Sequence, residues 1–337
     1  MRSSGWAAGW GVDMMFAIAS HHRWWLLVVC CMLALAGWGE ETWQLTIVHT
    51  NDVHDALLPF DYYGDAAQLQ PPRDNVGGFA RRATAIAGIR RATAHPLVVV
   101  DCGDLFMRGP WSITGHGVPE IESMNLMGYD LFCIGNHDIR CSEGVEAQQL
   151  MLGLLQRSHF PWLAANLTVG NTGAPVPGVH PYIVRTFGNV RVGFLGLTTD
   201  CIRHCPQVQG WTIGDPLVAA RYWAPIARQE CDILIAVTHL GLDVDKRLAA
   251  EVPGIDAVIG GHSHNFLPTP MLVHAPDGHP VPIAQAGEQG VMLGQLDLTF
   301  TREHGWHLQT ATGRLIVLDG TFTDDPAVKR LLTRYTD

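Results

Sequence analysis

Two aspartates, an asparagine and four histidines of this 337-residue chain fall in five short motifs, each at the end of an apolar run. Asp52-Val53-His54 follows LTIVHTN, Gly103-Asp104 follows LVVVDC, and Gly135-Asn136-His137-Asp138 follows LFCI. Thr238-His239 ends ILIAVTH, and Gly261-His262-Ser263-His264 follows AVIG. Continuous Val/Ile/Leu runs of this kind suit strands of a parallel sheet covered on both faces. Residues just past the carboxyl ends of such strands converge on one crevice. Asp52, His54, Asp104, Asn136, His239, His262 and His264 are therefore expected to meet at one sheet edge. That set offers enough oxygen and nitrogen donors for two divalent ions sharing a bridging carboxylate. Mixed N/O ligation suits Zn, Mn, Fe or Co better than Mg or Ca alone.

The elements that must position these residues alternate. Strands are expected at Leu45–Thr50, Leu97–Asp101, Leu131–Ile134, Trp162–Asn166, Val190–Leu197, Ile233–Val237 and Ala257–Ile259. Helices are expected at Gly78–Ala92, around Pro119–Met127, at Val145–Arg157, near Pro216–Gln229 with Asp215 as its cap, and at Val244–Glu251. From Val281 onward VPIAQAG, VMLGQLDLTF, WHLQTATG and RLIVLDG read as successive antiparallel strands, and a last helix begins at Asp325.

The order D-x-H, G-D, G-N-H-D, H, G-H-x-H resembles the signature of the calcineurin-like metallophosphoesterases, and HTNDVHD, GGFARRATAI, DCGDLF, THLG and GGHSHNF narrow the likeness to the catalytic domain of the 5′-nucleotidase branch. The likeness runs from about Leu45 to about Leu332. It implies a four-layer α/β/β/α sandwich with a catalytic domain over residues 44–320. It also implies a dinuclear site with Asp104 as the bridging carboxylate. Asp52, His54 and His264 would hold one ion, and Asn136, His239 and His262 the other. His137 matches the family histidine that stabilises the transition state or protonates the leaving oxygen. The implied reaction is hydrolysis of phosphate monoesters, foremost 5′-nucleotides or related organic phosphates, by metal-activated water with no covalent enzyme intermediate. Two other readings stay open: a thiosulfohydrolase-like hydrolase, and a catalytically weakened homologue that holds nucleotide or metal. In full-length 5′-nucleotidases a helix like residues 321–337 leads to a second, nucleoside-gripping domain. The expectation is a catalytic domain on its own or a fragment.

One departure touches chemistry. Relatives read GNHEFD, whose final Asp orients the histidine, whereas GNHDIRC places Arg140 there, and GDLFMRG has Met107 where another family pattern has an acid. Asp138 and Arg140 therefore join His137 as the catalytic group to examine, with Asp138 read chiefly as a support of its turn. Asp55 reads as a turn acid, Asp101 as a structural residue, and Arg81, Arg82, Arg90 and Arg91 as a solvated helix face.

Composition sets the outer limits. A chain that is 47% hydrophobic and 16% charged can bury a sizeable core. A net charge of −10 argues against a nucleic-acid groove. It leaves room for a phosphate substrate, because bound dications invert the local potential. Nothing in the sequence points to a protein partner. Residues 1–36 read as a signal peptide, with Arg23 before an apolar run ending in Ala34-Leu35-Ala36; membrane anchoring through residues 24–36 is the alternative. Export would place the chain in the periplasm, outside the cell or on its outer surface. It would permit disulfides, for which Cys201 and Cys205 are the best pair, while Cys102, Cys133 and Cys231 read as small buried hydrophobes.

Overall fold

Thirteen of the strands in the computed structural model assemble into two sheets that pack face to face. It describes residues 41–64, 74–107, 111, 115–139, 147–205, 208 and 210–336; Arg140, Cys141 and the leader lie outside them. The strands are β1 (Glu41–Thr50), β2 (Leu97–Asp101), β3 (Leu131–Cys133), β4 (Trp162–Leu163), β5 (Leu167–Val169), β6 (Val179–His180), β7 (Tyr182–Phe187) and β8 (Val190–Thr198). They continue with β9 (Trp211–Ile213), β10 (Ile233–His239), β11 (Ala257–Ile259), β12 (Met271–His274), β13 (Pro280–Ala284), β14 (Met292–Arg302) and β15 (Trp306–Val317). The helices are α1 (Phe79–Ala92), α2 (Val118–Met127), α3 (Asn136–Ile139), α4 (Ala147–Arg157), α5 (Pro216–Glu230), α6 (Leu242–Glu251) and α7 (Pro326–Thr333).

One sheet runs β15-β14-β1-β2-β3-β4-β6 and the other β12-β13-β11-β10-β8-β7. The strands that carry the motifs are parallel within each sheet: β1 with β2, β2 with β3, and β10 with β11. The inner strands of each sheet are buried on both faces, and the alternation of side chains shows it. Ile47, Val98, Val100, Ile233, Ile235 and Val237 fill the core between the sheets. Their neighbours Val48 and Val99 face a second core with α1, α2, α4 and α7, while Leu234 and Ala236 face a third with α5 and α6. The result is the four-layer α/β/β/α sandwich, and continuous apolar strands are what such layering demands.

Several elements differ from the sequence reading. WHLQTATG and RLIV form one strand, β15, paired antiparallel with β14. The VPIAQAG segment lies in the other sheet, where β13 runs parallel to β11 and antiparallel to β12. The strand expected at Trp162–Asn166 shrinks to Trp162–Leu163, and β5, β6 and β9 are too short to show periodicity. Cys201 and Cys205 form no disulfide: Cys201 is exposed, while Cys205 packs against the helix-side core. Cys102, Cys133 and Cys231 are buried as expected. The arginine face of α1 splits: Arg81 and Arg82 are buried, at 8% and 0% exposure, whereas Arg90 and Arg91 are exposed. Arg82 lies 4.3 Å over the Phe79 ring and donates to the Tyr129 hydroxyl, and Arg81 donates to the Asn75 side chain at 2.9 Å. The expected cap is present, since the Asp215 carboxylate accepts from Leu217 N and Val218 N at the start of α5. No helix among the described residues is long and apolar enough to cross a membrane.

Candidate metal centre

The five motifs do meet. Asp52 and His54 leave the end of β1, Asp104 leaves β2, and Asn136 and His137 open α3 just after β3. His239 is the last residue of β10, and His262 and His264 follow β11. One sheet thus supplies Asp52, His54, Asp104 and Asn136, and the other supplies three histidines. Donor atoms gather in three overlapping groups: Asp52 with His54 and His264; His54 with Asp104 and His137; Asp104 with His239 and His262.

Asp104 sits at the middle. Its Oδ2 is 3.2 Å from His239 Nε2, 3.5 Å from His54 Nε2 and 3.9 Å from His137 Nε2. Asp52 Oδ1 is 3.3 Å from His264 Nε2 and 3.9 Å from both His54 Nε2 and His239 Nε2. Asp52 Oδ1, His54 Nε2, Asn136 Oδ1 and His239 Nε2 are buried and without a hydrogen-bond partner. Buried polar atoms are normally satisfied, and those of Asp52, His54 and His239 lie within the donor groups, so they form a cradle for cations. Electrostatics agree. Burial works against a charge on His239, yet Asp104 and Asp52 outweigh it and hold its pKa at about 10. A field that favours a proton on that ring also favours a divalent cation on its deprotonated nitrogen.

Behind the donors, backbone and side chains hold each one in place. The second oxygen of Asp52 accepts from Asn51 Nδ2 at 2.7 Å and from His262 N at 2.8 Å. Asp104 Oδ1 accepts from His137 N at 2.7 Å, and His239 Nδ1 faces the Cys102 carbonyl at 2.7 Å. A ligating histidine whose other nitrogen meets a carbonyl has its tautomer fixed. Gly135 is required by close approach, because a Cβ there would stand 2.3 Å from Asp104 Oδ1. Asp101 spends its carboxylate on Thr50 Oγ1 at 2.6 Å and Gly103 N at 2.9 Å, shaping the turn before Asp104.

Asp138, grouped with the catalytic residues in the sequence reading, is fully buried and touches backbone instead. Its oxygens accept from Gly135 N at 2.6 Å, Asp104 N at 2.9 Å and Leu105 N at 2.9 Å. Burial and the nearby Asp104 push its pKa up, against the pull of these N–H groups. Asp55 is no part of the donor groups; its N–H donates to the Leu105 carbonyl. His137 keeps a quarter of its side chain exposed, 26%, at the lip of the cluster. Sequence reasoning missed Glu288 and Tyr62. The Glu288 carboxylate meets His264 Nδ1 at 2.9 Å and accepts from the Tyr62 hydroxyl at 2.8 Å. Neither lies in a motif, and only the folded turn brings them to the site.

Known proteins resemble this chain in sequence and fold. The chain is 33% identical to the 5′-nucleotidase of Bos taurus over 313 residues, which is 87% of this chain and 52% of that one. The crystal structure of a 5′-nucleotidase precursor from Thermus thermophilus superposes with a TM-score of 0.76 at 26% identity, covering 87% of this chain and 58% of that one. The sulfate thiohydrolase SoxB of Thermus thermophilus shares the fold, with a TM-score of 0.73 at 16% identity over 86% of this chain and 60% of that one. The chain spans about half the length of the curated relatives it matches. Residues 45–266 match the model of the calcineurin-like phosphoesterase domain, a span that holds all five motifs, and the chain belongs to that family.

Proposed function

We propose that the chain is a metal-dependent phosphomonoesterase that releases phosphate from 5′-nucleotides or related small organic phosphates. The observation that carries this reading is the convergence of six donor side chains, Asp52, His54, Asp104, His239, His262 and His264, at the strand ends of both sheets, three of them with buried unpartnered donor atoms. Asp52, His54 and His264 would hold one divalent ion, Asn136, His239 and His262 the other, with Asp104 shared. When bound, such a pair supplies Lewis-acid charge for the phosphoryl oxygens and an activated water for in-line attack. The chain's own part is positioning. Asn51, His262 N and His137 N orient the two carboxylates, and Asp138 fixes the turns that present Asp104 and Asn136. His137, a quarter of its side chain exposed beside Asp104, is placed to meet the phosphate and to assist departure of the leaving oxygen. The similarity to 5′-nucleotidases supports nucleotides as the substrate class. We assign the catalytic domain to residues 44–320, and export rests on the leader sequence.

The test is metal analysis followed by phosphate release. Protein stripped with chelator and reloaded with Zn or Mn should take about two ions per chain and release phosphate from nucleoside monophosphates. Asp104→Asn should lose both ions and turnover together. A fully loaded protein that releases no phosphate from nucleotides or sugar phosphates would sink the proposal.

A further inference from the structure

Glu288 stands 24 residues beyond the last motif, yet it reaches one metal-ligand candidate directly. Its Oε2 is 2.9 Å from His264 Nδ1, while the opposite ring nitrogen, Nε2, faces Asp52 Oδ1 at 3.3 Å. The other carboxylate oxygen accepts from the Tyr62 hydroxyl at 2.8 Å. Tyr62 is 2% exposed and packs edge-on against Phe266 and Phe60, with ring centroids 6.3 Å apart in each case. The turn that carries Glu288 is tied to both neighbouring ligand loops. Ala286 N donates to Asn51 Oδ1 at 2.8 Å, Gln289 N to the Asp52 carbonyl at 2.6 Å, and Gly287 N to the Asn265 carbonyl at 3.0 Å. Glu288 is therefore held in place from three sides before any ion arrives.

The two halves of the centre differ in this respect. His239 has a neutral backbone carbonyl behind its Nδ1, whereas His264 has a carboxylate. A carboxylate on Nδ1 fixes Nε2 as the ligating nitrogen and raises its basicity, and such partners are commonly worth about 10–100-fold in metal affinity. Building on the dinuclear reading above, we propose that Glu288, held by Tyr62, is a positioning residue for His264 and selectively strengthens the ion on Asp52, His54 and His264. The ion on Asn136, His239 and His262 does not draw on it.

Competition with a chromophoric chelator resolves the two dissociation constants for Zn²⁺, and cobalt substitution gives a visible spectrum for each site. Glu288→Ala should weaken one constant about 10–100-fold, leave the other within about threefold, and change the cobalt bands of one site only. Tyr62→Phe should shift the same constant in the same direction by less. Glu288→Gln keeps the size of the side chain and loses its charge; it carries the comparison should the alanine variant fail to fold, with an expected loss at the same site. Both constants unchanged, or both weakened equally, would overturn the proposal. A native chain that takes fewer than two ions overturns the dinuclear reading instead, and does so before any variant is compared.

Discussion

Five of the seven ligand candidates hold left-handed backbone: Asp52, His54, Asp104, His262 and His264 have φ between +51° and +76°. Such conformations cost a residue with a Cβ about 1 kcal/mol or more, and they persist only where the surroundings over-determine them. Asp138 is one of those surroundings, because its carboxylate gathers N–H groups from the Gly135 and Asp104 turns at once. Asp138→Asn would set an amide N–H₂ against those donors. The expected cost is about 1–3 kcal/mol, the penalty for leaving buried donors unsatisfied. Chemical denaturation and metal titration of the variant should show stability and ion affinity falling together. Lost turnover with stability and metal content intact would instead make Asp138 a participant in the chemistry.

At the scale of elements, what could be read from the sequence followed from burial. β1, β2, β3, β10 and β11 are buried on both faces, so their apolar runs and the ligands at their ends were legible as motifs. Sheet membership was not, because nothing local to VPIAQAG says that β13 lies beside β11 and not beside β14. The burial of Arg82 was hidden for a similar reason, since its guanidinium lies against a turn at Gly290, where a Cβ would collide with it. Glu288 and Tyr62 escaped because their contact is lateral, between two turns 226 residues apart. Capping, by contrast, is local chemistry, and Asp215 was read correctly from Asp-Pro before an apolar period. Asp215→Ala leaves Leu217 N and Val218 N without their acceptor. It should cost about 1 kcal/mol in denaturant unfolding and leave ion binding and phosphate release unchanged. A loss of activity would mean that α5 communicates with the centre, which its position on the far face of the second sheet does not suggest.

The whole molecule is two sheets meeting at one functional edge. The core between them, from Leu45 through Val98 to Ile235 and Phe300, is apolar. The centre is different, because it joins donors of the first sheet to histidines of the second across a gap lined with unpartnered atoms. Cations there bind only the folded arrangement, so they add stability by mass action. Each ion present at a hundred times its dissociation constant contributes about 2.7 kcal/mol. With roughly 2 °C or more per kcal/mol for a domain of this size, chelation of both should lower Tm by roughly 10 °C. The inter-sheet core predicts the form of that loss. Far-UV circular dichroism should stay native after chelation. Amide exchange should quicken at the turns around Asp52, Asp104, Asn136 and His262, while β8 and β10, buried along nearly their whole length, keep their protection. Loss of exchange protection throughout β8 and β10 would show that the ions hold the two sheets together. An unchanged Tm after verified removal of both ions would show that the donor cluster is set by the protein alone.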